Sequence, residues 1–279
     1  MTLWAVVAAG AGLGEALYVQ ILGPVQVQHG LQPLTPTPRL ARVLLGTLAL
    51  RANRTMSVDW IRDALWADQA PRSAMANLRG YLAELRRLLL PGLPAGVSIE
   101  TSSSGYCLRA VPATVDVLLF DSLAAEGRRL LDSGHHQSAA ERLTRAVALW
   151  RGPVLDGIPI PEPIQPEVRV LEVKRLDAVE DSVEAQLALG RHRELVPELT
   201  MHLAQWPLRE RLSSQLMLAL CRSGRQIEAL TVYQSLCVRL DEELGIAPNA
   251  ELRALHQRVL RADPGLQLGG EVHRARLVS

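Results

Sequence analysis

Arg72, Arg79 and Arg87 stand seven and eight residues apart within PRSAMANLRGYLAELRRLLL, so on a helix they share one side over about four turns. Guanidinium groups so arranged offer charge-assisted, fork-shaped donors to phosphate or to a guanine edge. Between them lie Ala76, Gly80 and Ala83, too small to hold a partner surface away, with Asn77 and Tyr81 at the flank. The other face carries Leu78, Leu82, Leu85 and Leu89 at spacings of four, three and four, the stripe of a helix that packs on a core. A plainer reading exists for each feature. Arginines are common on the wet face of amphipathic helices, and a mid-helix glycine such as Gly80 costs about 1 kcal/mol relative to alanine. Close approach of a nucleic acid would account for both together.

Other chemistries find little support. Cys107, Cys221 and Cys237 form neither an even disulfide set nor a metal spacing, and His135, His136, His192 and His202 include no pair with the one-turn spacing of an HExxH site. No nucleophile elbow and no phosphate-cradling loop with lysine occurs. Gly10, Gly12 and Gly14 superficially resemble a dinucleotide-binding turn, but Gly23-Pro24 interrupts soon after and no acid lies between Glu15 and Asp59. These features predict neither an enzyme nor a cofactor or metal.

The chain has 279 residues, 48% hydrophobic and 21% charged, which fits an ordinary globular chain of about two domains. Its net charge of +1 hides an asymmetry: residues 39–90 hold nine arginines against four acids, whereas residues 116–263 hold 18 basic and 22 acidic groups. The positive field is therefore local to the arginine helix. No apolar run reaches the roughly 18 residues that span a bilayer. With the cysteine usage, this predicts a cytoplasmic protein without membrane contact. Residues 1–17 read as a flexible extension.

The elements needed to present that helix can be read on either side of it. Tyr18–Leu22 and Val25–Gln28, split by Gly23-Pro24, and a third run near Leu31–Leu34 predict a small antiparallel sheet. Thr37 as N-cap and Pro38 in the first turn open a helix to Arg51, with Leu40, Val43, Leu44 and Leu48 inward. Ser57 caps a second, with Trp60, Ile61, Ala64 and Leu65 inward as far as Trp66. Asp68–Arg72 is a turn, and Ser73 a cap for the arginine helix. After Pro91-Gly92, VSIET and GYCLRA flank Ser102-Ser103-Ser104 as a hairpin. Strands, three helices and a closing hairpin make a winged helix-turn-helix, in which the last helix enters the major groove and the hairpin tip approaches the minor groove or backbone.

Beyond Asp116 nearly every segment reads as helix. LALGRHRELV around Gly190 and LCRSGRQIEAL around Gly224 lie 34 residues apart, the tetratricopeptide period, and DSGHHQSAAERL around Gly134 is a third copy displaced by the proline-rich GPVLDGIPIPEPIQPE. Pro197, inside RELVPELTMHL, should kink or restart its helix. The fold class is thus mainly α: a winged helix-turn-helix at 18–111 with small antiparallel sheets, an all-α tetratricopeptide-like array at 116–263, and a flexible tail at 264–279.

Eight segments in order carry a family likeness: ILGPVQV, RANRTMSVDWIRDALW, NLRGYLAELRRLL, SSGYCL, AVALWRGPVLDG, ALGRHRELVPEL, PLRERLSSQLMLALCRSGRQIEAL and LDEELGIAPNAELRALHQRVL. The chain resembles the Streptomyces antibiotic regulatory proteins, in the short form where an OmpR-like winged helix precedes a bacterial transcriptional activator domain. The resemblance runs from about Tyr18 to Asp263. It implies a pathway-specific activator of a secondary-metabolite gene cluster that binds direct repeats beside a promoter, with a second protomer alongside on double-stranded DNA, and recruits RNA polymerase. The recognition helix would fall on Ser73–Leu90, the DNA-contacting set on Arg72, Ser73, Ala76, Asn77, Arg79, Gly80, Tyr81, Ala83, Arg86, Arg87 and Ser102, Ser103, Ser104. The polymerase-contacting loop would fall on Ala67, Asp68, Gln69, Ala70 and Pro71. Relatives often carry arginine where this chain has Ser102 and Cys107, and basic or small residues where it has Glu84. Glu84 on the DNA face would repel phosphate or accept from a cytosine amino group. The alternative is an interaction scaffold: a helical array that binds proteins, joined to a winged helix with weak or no DNA affinity.

Overall fold

The computed structural model describes residues 17–30, 32–90 and 96–266. The glycine-rich N-terminal segment, Pro91-Gly92 and positions 267–279 of the expected tail lie outside them. Pro264–Leu266 close the described chain as a 3-10 turn, with Leu266 buried. Described residues divide into two compact units interleaved in sequence: those up to Arg128 with Glu141–Ala178, and Arg129–Ala140 with those from Val179 onward.

In the first unit, β1 (Leu17–Gln20), β2 (Gln26–His29) and β3 (Gln32–Leu34) form an antiparallel sheet in that order, with Val19 opposite Val27. Helix α1 (Arg39–Leu50) buries Val43, Leu44, Leu45 and Leu48. Its N-cap position is Pro38, without a capping bond, rather than Thr37: the backbone turns helical one residue later than predicted, and Thr37 is used elsewhere. Ser57 does cap α2 (Val58–Trp66), accepting the Trp60 N–H at 3.2 Å. Ile61, Ala64 and Leu65 of α2 are buried, but Trp60 is only half-buried, its ring lying 4.4 Å beneath the Arg51 guanidinium. The indole satisfies a cation instead of the core. Helix α3 (Ala74–Leu89) sets all four predicted leucines in the core at 3% exposure or less. Strands β4 (Val97–Ser102) and β5 (Gly105–Ala110) pair antiparallel, Ser102 opposite Gly105, so the tip is two residues, Ser103-Ser104, and Ser102 ends a strand.

The same unit takes in the start of the helical region. Asp116 opens α4 (Asp116–Asp132); its buried carboxylate accepts the N–H groups of Ile21 (2.7 Å) and Leu22 (2.8 Å), just past β1. Burial pushes this carboxyl up to about 7, against the pull of those two N–H groups and of Arg151, 3.8 Å away. Val115 bridges Val19 in parallel. From the other side, the N–H groups of Arg151, Leu155 and Asp156 donate to the carbonyls of Leu22, Ile21 and Gly23. Leu155 adopts a positive φ of 59° there and fills the place a side chain at Gly46 of α1 would take. GPVLDG is therefore a clasp on the sheet.

α5 (His136–Val147) and α6 (Gln165–Ala188) contribute to both units. In the second unit, α7 (His192–Gln205), α8 (Glu210–Arg222), α9 (Gln226–Leu244) and α10 (Ala250–Leu260) follow. The repeat inferred from Gly134, Gly190 and Gly224 is a repeat of geometry. Each glycine is left-handed (φ 75°, 83°, 78°), donates to the carbonyl three residues back, and is followed by a residue that donates five back. Only glycine takes that conformation without strain, so one residue type reverses the chain three times. Helix α7 continues through Pro197 and does not restart. Arg211 reaches Glu180, Asp181 and Glu184 on one face of α6, and Arg209 also reaches Glu180, so PLRERL neutralises an acidic, largely buried stretch.

Candidate nucleic-acid interface

With its leucines buried, α3 turns a continuous outer strip to solvent. Arg72, Ser73, Ala76, Arg79, Gly80, Ala83 and Arg87 are exposed. At 100° per residue, Ala76 and Ala83 lie at the centre of that strip, with Arg79 to one side and Arg87 and Gly80 to the other. A side chain built at Gly80 would meet nothing within 4 Å. No neighbour among the described residues requires the glycine, so its helix penalty goes uncompensated by packing there.

Several residues assigned to the same face are engaged in holding it. Glu84 accepts the backbone N–H of Thr37 at 3.1 Å, which turns an acid expected to oppose phosphate into a brace between α3 and the segment leading into α1. Tyr81 is half-buried and stacks on Trp66, centroids 6.5 Å apart. Asn77 donates to the Ser73 hydroxyl at 3.2 Å; Ser73 occupies the N-cap position but caps no helical N–H. Arg86 is folded onto the hairpin, donating to the Ile99 carbonyl at 3.1 Å and to the Thr101 hydroxyl at 2.6 Å. It joins α3 to the hairpin.

The wing is also held from behind, by residues that sequence patterning did not single out. Met56 and Tyr106 exchange backbone bonds at 2.9 and 3.0 Å, pairing the α1–α2 loop with β5. Asn53, in a left-handed conformation (φ 66°), donates its N–H to Leu108 and exchanges side-chain bonds with the Ala110 backbone at 2.9 and 3.0 Å. Gly105 (φ 144°) lets the Met56 backbone approach; a Cβ there would collide with the Met56 carbonyl oxygen. The signals were an Asn beside a helix end and a Gly at a strand start, each common enough alone to pass unremarked. At the tip Ser102, Ser103 and Ser104 are exposed, and the Ser102 and Ser104 hydroxyls lie 3.0 Å apart, within hydrogen-bond reach. Cys107 points into the core at 3% exposure, so it is no part of the wing's outer surface; Arg109 is outward, paired with Glu100 at 2.9 Å.

The connection from α2 to α3 is a 3-10 turn, Ala67–Gln69, then Ala70 and Pro71, all exposed. Ala67 has φ 47° and ψ −130°, a conformation costly for any residue with a Cβ. Among the described residues no group of three or more His, Cys, Asp or Glu could hold a metal, and no helix is long and apolar enough to cross a membrane.

This arrangement has relatives. Residues 115–260 match the bacterial transcriptional activator domain, more than half of the chain. The regulatory protein DnrI of Streptomyces peucetius is 37% identical over 91% of this chain and 96% of its own length. The chain belongs to the Streptomyces antibiotic regulatory protein family. This family member is a transcriptional regulator and not an enzyme. It is similar also to the transcriptional regulator RedD of Streptomyces coelicolor, at 32% identity over 94% of this chain and 75% of RedD. The regulatory protein AfsR of the same organism is 39% identical over 90% of this chain, which spans 25% of AfsR's length. The solved structure of Mycobacterium tuberculosis EmbR in complex with a low-affinity phosphopeptide superposes with a TM-score of 0.81 at 31% identity, over 89% of this chain and 66% of that one. The mainly helical fold with small N-terminal sheets is thus that of the family.

Proposed function

We propose that this regulator activates transcription by binding double-stranded promoter DNA through α3 and the β4–β5 wing. The observation that carries this reading is the exposed strip of Arg72, Arg79 and Arg87 around Ala76, Gly80 and Ala83, where an unneeded glycine leaves open space beside the arginines. Arginines supply phosphate or guanine contacts; the small residues let the helix seat deeply in the major groove. Asn77, Tyr81, Ser73 and Arg86 orient the helix and border the contact, and the serine tip donates to phosphate without adding charge.

Functionally, the DNA-binding part is 18–111 and the activator part 116–263. Ala67, Asp68, Gln69, Ala70 and Pro71 form the loop that meets RNA polymerase. Two protomers bind direct repeats head-to-tail, which needs no twofold dimer in solution. The genes controlled form a secondary-metabolite cluster, and the protein works at the nucleoid without a cofactor.

Titrating a promoter fragment from the gene neighbourhood at several salt concentrations tests the reading. With about four to six phosphates contacted per protomer, the log-log slope is near −4 to −5. Replacing Arg72, Arg79 and Arg87 together by alanine abolishes specific binding. A slope near zero removes the electrostatic mechanism, an unchanged affinity in the triple variant overturns the assignment to these arginines, and no binding even at low salt leaves the protein-interaction scaffold.

A further inference from the structure

Within the second unit, α6, α8 and α10 line a groove of about 460 Å3. Helices α6 and α8 are those that precede the Gly190 and Gly224 turns, and α10 follows the left-handed Gly245. Among the lining residues, Glu184 with Leu218 and Ala188 with Arg222 are pairs 34 residues apart. The repeat therefore turns the same face of successive helices into one hollow. Leu187, Leu218 and Leu255 make its lining largely apolar.

Two polar groups of that lining have no partner among the described residues. Gln215, 7% exposed, donates to the Glu180 carbonyl at 2.7 Å, but its buried Oε1 accepts nothing. A buried acceptor in this position calls for an N–H donor, such as a peptide backbone supplies. Glu251 is exposed and makes no ion pair, whereas Glu184 is already held by Arg211. The groove thus suits a peptide that brings apolar side chains for the leucines, a backbone N–H for Gln215 and a cation for Glu251.

The chain itself leads there. Arg222, which lines the groove, donates from Nε to the carbonyl of Leu266 at 2.8 Å, and Leu266 is buried. The described residues therefore stop at the edge of the groove, and the sequence continues QLGGEVHRARLVS. Its basic residues Arg274 and Arg276 alternate with Ala275 and Leu277, so an extended segment would carry the two kinds on opposite sides. Arg274 lies eight residues past Leu266, and an extended chain of that length reaches about 26 Å.

We propose that this groove is a peptide-binding site and that its occupant is the chain's own segment 272–278. Ala275 and Leu277 meet the leucines, a backbone N–H meets Gln215 Oε1, and Arg274 or Arg276 pairs with Glu251. Covalent attachment gives the segment an effective concentration on the order of millimolar, so even a weak peptide keeps the groove filled. Any other protein that uses the groove must displace it. The inference is independent of how the first unit meets DNA.

The test uses the full chain carrying the photo-crosslinker p-benzoylphenylalanine in place of His273, with crosslinked peptides mapped by mass spectrometry. The expected result is crosslinking to α6, α8 and α10 at the groove, with a yield that does not change with protein concentration. Glu251→Lys lowers that yield by at least about threefold, and so does the pair Arg274→Glu with Arg276→Glu, which leaves every described residue unchanged. Combining the three substitutions restores the yield, which a merely structural role for Glu251 would not do. Crosslinks spread over other elements overturn the proposal, as does an unchanged yield in both charge variants. A yield that rises with protein concentration also overturns it, because the occupant is then a second copy. Glu251 being exposed and unpaired, unchanged thermal unfolding of Glu251→Lys confirms that its fold is intact.

Discussion

Glu84 and Thr37, 47 residues apart in the chain, are joined by one hydrogen bond of 3.1 Å from the Thr37 N–H to the Glu84 carboxylate. The acid therefore serves the angle between α3 and the start of α1. Glu84→Ala lowers stability by about 1 kcal/mol, read from thermal or denaturant unfolding. DNA affinity of that variant stays within about twofold of native. A gain of tenfold or more would place the carboxylate against phosphate.

Gly80 separates folding from binding. Gly80→Ala stabilises the free protein by about 0.5–1 kcal/mol, because nothing lies within 4 Å of the added methyl and alanine favours the helix. The same methyl weakens promoter binding if the groove lies against this position. A variant both more stable and equally tight on DNA would show that α3 docks elsewhere.

Arg79 and Arg86, one exposed and one tied to the hairpin, predict opposite phenotypes. Arg79→Ala reduces the salt slope by about 1 if it meets phosphate, or costs about 1–3 kcal/mol of discrimination at one base if it reads guanine. Arg86→Ala frees Ile99 and Thr101 from their donor and loosens the wing, which lowers stability by about 1–2 kcal/mol with the salt slope retained. Identical slopes and identical unfolding for both variants would remove the distinction.

Asp116 ties stability to pH. Its carboxyl is pushed up to about 7 in the folded protein, and an unfolded aspartate titrates near 4. Between those values the folded state holds the extra proton, so this group's contribution is fully present below about pH 4 and is lost as pH rises through 7. Tyr18 and Arg151 are the neighbouring groups that interact with it electrostatically. Asp116→Asn keeps an acceptor for the Ile21 and Leu22 N–H groups and flattens the dependence of melting temperature on pH between about 5 and 8. An unchanged slope in that variant would assign the titration elsewhere.

What the sequence made readable was local. Leucines at 78, 82, 85 and 89 announce their helix because burial repeats at the helical period, and Gly134, Gly190 and Gly224 announce their turns because few residues tolerate a left-handed backbone. Contacts between distant segments leave no such period. Asn53 completing β5, Met56 pairing with Tyr106 and Glu84 reaching Thr37 each depend on where two remote backbones meet. For the candidate interface, the exposed arginines and small residues were legible as one helical side. The residues that orient that side were not, since a half-buried Tyr81 or Arg86 differs from an exposed one only through its partner.

The clasp at GPVLDG bears on how this chain can be cut. The winged helix and the activator-domain match meet near residue 115, yet the N–H groups of Ile21 and Leu22 find their acceptor in Asp116, and the carbonyls of Ile21, Leu22 and Gly23 find their donors at Leu155, Arg151 and Asp156. Severing the chain at Ala110 strips those partners from an apolar segment and leaves an open edge able to recruit another molecule's strand. A soluble winged-helix fragment must extend past Asp156, so the piece that can be exchanged between relatives as a cassette is longer than the winged helix itself.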